Sequence, residues 1–152
     1  MFKHRADYYF WAAALLILIK GIIEHFVSES DTLDINIGDT YYVADRLQVT
    51  IFNTLVFAFI GFIYRTLYNV NAGLNKKLTK LHTKGSINSI LFYWIAMLLL
   101  ILFDKQPSIL SVYHWYTDTN FILMLCILLF VVLQPLLIVN MIIGLTKREK
   151  QL

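Results

Sequence analysis

Four histidines, one cysteine and ten acidic residues are what the 152-residue chain offers for metal or acid–base chemistry. Cys126 has no second cysteine to pair with, which excludes an internal disulfide and a cysteine-based zinc site. The one constellation with metal-ligand character is Asp39 with Glu24, His25 and His114. A hard divalent cation wants several oxygen ligands, and Asp39 with Glu24 offers two, whereas His25 and His114 suit a transition metal better. The plainer reading of the same residues is a scatter of solvated side chains in loops. A second constellation is basic: Lys76, Lys77, Lys80 and Lys84, interleaved with Leu74, Leu78 and Leu81 at spacings of four and three. It reads as an amphipathic turn or two. Either its leucines simply dip into a membrane interface, or its lysines form a patch for anionic lipid headgroups at about 1 kcal/mol each. No nucleic-acid-binding motif accompanies it, so the expected partner is the lipid bilayer and not DNA or RNA.

The elements that must hold these residues are membrane spans. Hydrophobic residues make up 59% of the chain and charged ones only 15%, with a mean hydropathy of +0.65. Soluble domains carry about 25% charged residues, so this composition cannot coat a water-facing globule. A spanning helix takes about 20 residues, which leaves room for roughly four or five spans and no separate soluble domain. The expected fold is an all-α, four-transmembrane-helix bundle in a single integral membrane domain. Its helices fall at about 8–27, 47–68, 86–103 and 121–145, its outer loops at 28–46 and 104–120, and its basic inner loop at 69–85. The first span is the shortest in apolar terms, and its Lys20 and Glu24, one turn apart, can pair. Lys3, His4 and Arg5 ahead of it also suit a signal peptide, but residues 20–30 lack an Ala-x-Ala-like site, so a retained helix is expected. In the fourth span Pro135 removes a backbone donor and crowds Val131, predicting a kink.

Charge orients the four spans. Lys3, Arg5, Arg65, Lys76, Lys77, Lys80, Lys84, Lys147, Arg148 and Lys150, ten of the thirteen lysines and arginines, fall on the side that holds both termini. The opposite side collects most of the acidic residues. The positive-inside rule then makes both termini cytoplasmic and points to a bacterial inner membrane. Polar residues within the spans, Asn53, Thr54, Asn88, Ser89, Gln134 and Asn140, are uncharged and expected to hydrogen-bond across helices. Gly61 reads as a close helix contact and Cys126 as a small apolar filler. In the first outer loop Thr32–Ile37 alternates polar and apolar residues, as an extended stretch does, and Gly38 permits a turn. Asp39 followed by Thr40 then reads as the N-cap of the second helix.

Residues 39–43 spell D-T-Y-Y-V at the outer mouth of a span. This string resembles the haem–copper oxidase subunit I family, the cytochrome c and quinol oxidases, whose pattern there is H-D-T-Y-Y-V-V-A-H-F-H. Val56, Phe57, Ala58, Gly61 and Phe62 echo the family's continuing helix, and Lys80, Leu81 and His82 echo the start of its next one. The similarity extends over roughly residues 39–94. It implies that the motif lies on the outer face with its helix running inward.

The family's chemistry departs from this sequence at its centre. The two histidines that ligate haem iron in the family fall on Arg46 and Gln48, and the histidine before its aspartate is Gly38. Arginine keeps its proton and cannot ligate, and an amide is a poor substitute for imidazole. Haem is therefore not expected, and the only cofactor left open is a divalent cation near Asp39. The resemblance leaves two functions open. One is a non-catalytic membrane protein acting by helix and loop contacts in a membrane or respiratory assembly. The other is an electron-transport subunit functional only inside a larger respiratory complex.

Overall fold

The computed structural model describes residues 5–27, 32–37, 39–103 and 109–149, and side chains over 5–27, 39–99, 102 and 121–147. In chain order the elements are α1 (Ala6–Val27), β1 (Thr32–Ile37), β2 (Thr40–Asp45), α2 (Arg46–Asn69), α3 (Lys76–Phe103) and α4 (Ile109–Glu149). They fall into two compact units. The first comprises Met1–Asn75 with Met141–Leu152, and the second Lys76–Asn140.

In the first unit α1 and α2 pack as an antiparallel pair. Ala6, Phe10, Ala14, Ile17 and Gly21 form the buried stripe of α1, at spacings of four, four, three and four. That repeat keeps one seam facing a partner helix. The facing stripe of α2 is Thr50, Phe57, Ile60, Gly61, Tyr64 and Leu67. Contacts run in opposite directions along the two. A Cβ on Gly21 would strike Thr50, Phe10 lies 5.8 Å from Phe57 and 5.7 Å from Tyr64 by ring centroid, and Ala6 N donates to Tyr68 Oη at 3.2 Å. Gly61 is the close contact expected of it, since an added Cβ would lie 2.5 Å from Trp11 Cδ1.

The joint between these helices is a hairpin. β1 and β2 pair antiparallel from Thr32↔Asp45 to Ile37↔Thr40, leaving a two-residue connection at 38–39. The extended stretch at Thr32–Ile37 is where its alternation put it. The N-cap expectation for Asp39 is corrected: Asp39 is a turn residue, and the chain stays extended through Thr40, Tyr41, Tyr42 and Val43, residue types that favour strands. The cap of α2 is Asp45, with φ −64° and ψ 128°, whose side chain accepts from Leu47 N at 2.7 Å and Gln48 N at 3.2 Å. Those are two of the donors that a helix start leaves unmatched.

At its other end α2 closes in a Schellman motif, with Ala72 N bonded to Leu67 O at 3.0 Å and Asn71 N to Tyr68 O at 3.1 Å. The left-handed position falls on Asn71, at φ 52°. The following turn is fastened to the last turns of α4, where Gly73 N donates to Gly144 O at 3.0 Å. A Cβ on Gly144 would meet Leu74 Cδ2 at 2.8 Å.

In the second unit the helices are longer than hydropathy predicts. α3 begins at Lys76, so most of the expected basic inner loop is helix, and α4 begins at Ile109, so helix replaces much of the expected loop 104–120. Hydropathy marks where apolar side chains lie and is blind to helix that carries lysine or threonine. α4 runs as one helix through Pro135. Thr79 and Asn140, His82 and Gln134, and Gly85 and Leu133 face each other, so α3 and α4 also run antiparallel.

Among the described residues three helical segments are long and apolar enough to cross a membrane: Ala6–Val27, Arg46–Asn69 and Phe121–Lys147. The expected third span, 86–103, lies within α3, and some of its side chains fall outside the described residues. Many large apolar side chains lie outside, and several polar ones lie inside along with Phe10, Phe57 and Tyr64. Leu15, Leu16, Ile23, Phe52, Phe59, Val132 and Ile142 are exposed, while Asp7, Thr50, Thr79, His82, Thr83, Ser86, Ser89 and Asn140 are buried. Exposed leucines, isoleucines and phenylalanines suit a hydrocarbon surround, which solvates them and leaves buried polar groups to one another.

Candidate functional site

The residues expected near an outer metal do not gather among the described positions. Asp39 stands exposed in the hairpin turn. Glu24 is engaged by Lys20 on the same helix, as the one-turn spacing suggests. His25 packs edge-on against Phe26 at 5.6 Å. His114 lies in α4, and its side chain is outside the described residues. Among the described residues no three His, Cys, Asp or Glu side chains come together.

The lysines Lys76, Lys77, Lys80 and Lys84 are all exposed on the first turns of α3. Their helix has a polar inner face, with Leu81 on the outside together with the lysines. Leu81 points outward at 56% exposure, and the buried face consists of Thr79, His82, Thr83, Ser86 and Ser89. These five recur at spacings of three, one, three and three, one stripe of a helix.

This stripe forms a polar seam with α4. Asn140 Nδ2 donates to Thr79 Oγ1 at 2.8 Å, and His82 Nε2 lies 3.4 Å from Gln134 Oε1. The same glutamine donates from Nε2 to Phe130 O at 2.8 Å, and Ser89 Oγ donates to Ser86 O at 2.8 Å. Between His82 and Ser89 the Thr83 and Ser86 hydroxyls are buried without a hydrogen-bond partner. A dry unpaired hydroxyl costs about 1–3 kcal/mol, and proteins commonly meet that cost with a bound water. Gly85 lets the helices approach, since a Cβ there would lie 2.6 Å from Leu133 Cδ1.

Of the in-span polar residues expected to bond across helices, Asn140 and Gln134 do so. Thr54 instead bonds back to Thr50 O at 2.8 Å, Ser89 bonds within α3, and Asn53 and Asn88 are exposed. Hydropathy places Thr79, His82 and Thr83 in a connector and Ser86 at the start of a span. Their own helical periodicity was the available signal. Chemically the seam offers one imidazole among neutral hydroxyls and amides, suited to hydrogen-bonding two helices together. Cys126 is buried on α4, the filler expected.

A second polar cluster closes the α1–α2 pair at the end away from the hairpin. The Asp7 carboxylate is fully buried and receives Arg5 Nη2 at 2.8 Å and Arg5 Nε at 3.2 Å, with Arg65 Nη1 at 3.6 Å. The Arg5 guanidinium lies over the rings of Tyr8 and Tyr68, 5.1 and 5.2 Å from their centroids.

The class defined by these features is a helical protein with three helices long and apolar enough to cross a membrane, a β-hairpin between the first two helices and polar helix contacts. No protein-family model, curated protein or solved structure matches the chain.

Proposed function

We propose that this is a small four-span protein of the bacterial inner membrane, with both termini cytoplasmic, that works as a non-catalytic contact subunit of a membrane assembly. The D-T-Y-Y-V resemblance makes a respiratory oxidase complex the first candidate partner. One observation carries the reading. Of the D-T-Y-Y-V residues, Asp39 sits in the hairpin turn and Thr40 to Val43 lie on β2, where Tyr41, Tyr42 and Val43 are 61%, 53% and 58% exposed. A tyrosine pair on a hairpin, tied to a membrane helix by the Asp45 cap, offers large amphipathic contact area at low entropic cost. Arg46 and Gln48, at the positions of the family's haem ligands, form the first turn of α2, consistent with contact and not redox chemistry.

A photo-cross-linking amino acid at Tyr42 in native membranes tests this. The expected result is a discrete cross-link to another membrane protein that weakens when Tyr41→Ser is added. Cross-linking to lipid alone would count against the contact role. A haem absorption band stoichiometric with the purified chain would sink the non-catalytic reading.

A further inference from the structure

We infer that the Arg5–Asp7–Arg65 cluster is a binding site for the phosphate of an anionic phospholipid headgroup, a role separate from the hairpin contact proposed above. Two guanidiniums converge on one carboxylate, so the cluster keeps one net positive charge after Asp7 is neutralised. Asp7 is fully buried, whereas the Arg5 and Arg65 side chains remain 31% and 38% exposed. The negative charge is thus the inner support and the positive charge faces outward. Arg5 spends Nε and Nη2 on Asp7, while Arg65 touches it only through Nη1, at an ion-pair distance too long for a hydrogen bond. Among the described residues Arg65 donates no hydrogen bond, so its planar fork is free for an oxyanion, the geometry that suits phosphate best.

Position selects the ligand. Arg5 directly precedes α1 and Arg65 lies in the last turns of α2, and both helices are long and apolar enough to span. Their ends therefore fall at headgroup depth. Tyr8 and Tyr9, 52% and 48% exposed, mark the same level, where amphipathic rings collect. The Tyr8 and Tyr68 rings hold the Arg5 guanidinium in place, and Tyr68 is itself held by the Ala6 amide and by stacking on Tyr64 at 6.3 Å. Arg5 therefore has little side-chain entropy left to lose on binding.

The test uses the full chain in nanodiscs of mixed phosphatidylglycerol and phosphatidylcholine, with bound lipid counted by native mass spectrometry after release. The wild type should retain phosphatidylglycerol selectively. Arg65→Gln, which leaves the Arg5–Asp7 pair in place, should reduce that retention about five- to tenfold at an unchanged melting temperature. Arg65→Lys should restore part of it, because it returns the charge without the fork. Equal retention of the two lipids by the wild type, or undiminished retention by Arg65→Gln, overturns the site. Displacement of the lipid by millimolar inorganic phosphate overturns the lipid as its source. Should Arg65→Gln not fold, the wild-type selectivity and the phosphate competition decide the matter.

Discussion

Gly21 on α1 lies against Thr50 on α2 so closely that a Cβ at Gly21 would be 2.1 Å from Thr50 Cγ2, 2.3 Å from Oγ1 and 2.7 Å from Cβ. Threonine at a helix position has little rotamer freedom, and its Cβ moves only with the backbone. Gly21→Ala should therefore force the helices apart and cost about 1–3 kcal/mol, read as a lowered midpoint in denaturant titration of the detergent-solubilised protein. Adding Thr50→Ala should recover only part of the loss, because the Thr50 Cβ remains. Full recovery would mean the clash is confined to the Thr50 methyl and hydroxyl. The comparable contact at Gly61 is with the indole of Trp11, a side chain that is 37% exposed and has room to swing.

The Schellman closure of α2 predicts a different pattern. Asn71 holds φ 52°, a conformation that costs most L-residues about 1–2 kcal/mol and asparagine less. Asn71→Gly should leave stability unchanged or slightly raised. Asn71→Val should lower it by about 1–2 kcal/mol and loosen the turn that Gly73 ties to Gly144. Hydrogen exchange at the Ala72 and Gly73 amides is the sensitive readout, with the valine variant exchanging faster. Equal exchange in both variants would remove the strain argument.

How much was legible in the sequence follows from these particulars. The long apolar helices α1, α2 and the apolar part of α4, the strand Thr32–Ile37, the Lys20–Glu24 pair and the close contact at Gly61 are all legible in hydropathy, alternation and spacing. Asp39 and Asp45 are the same cap-favouring residue type ahead of the same helix, and composition alone cannot choose between them. The choice was made by pairing of Thr40–Asp45 with β1, a non-local interaction. The seam on α3 is invisible to hydropathy because Thr79, His82, Thr83 and Ser86 depress it where the helix is buried. In lipid the stripe of small polar residues is the helix contact, so the contact face has to be sought among them and not among the leucines.

Asn140 and Thr79 allow the seam to be measured. Asn140 is 1% exposed and its donor meets Thr79 Oγ1 at 2.8 Å. Asn140→Leu and Thr79→Val should each destabilise the protein, and the double variant should lose less than the sum of the two. The coupling energy from the cycle should be about 0.6 kcal/mol and below about 1.7 kcal/mol, the range of interhelical hydrogen bonds in membranes. Strict additivity would show that the bond contributes nothing net, leaving packing around Gly85 and Leu133 to hold α3 on α4.

The two aspartates before α2 separate cap from turn. Asp45 accepts from Leu47 N and Gln48 N, so Asp45→Ala leaves two amides at the helix start without their acceptor and should cost about 1 kcal/mol. Asp45→Asn keeps an acceptor oxygen and should recover most of that. Asp39 is exposed in the turn, so Asp39→Ala should change stability by less than about 0.5 kcal/mol. The hairpin sharpens the comparison, because Asp45 is also the β2 residue paired with Thr32, where strand and helix meet. Loss of the cap should therefore free the hairpin as well as fray the helix. In Asp45→Ala a spin label at Tyr42 should become more mobile, whereas in Asp39→Ala its mobility at that site should stay as in the parent protein. The reverse ranking of the two variants would return the cap to Asp39.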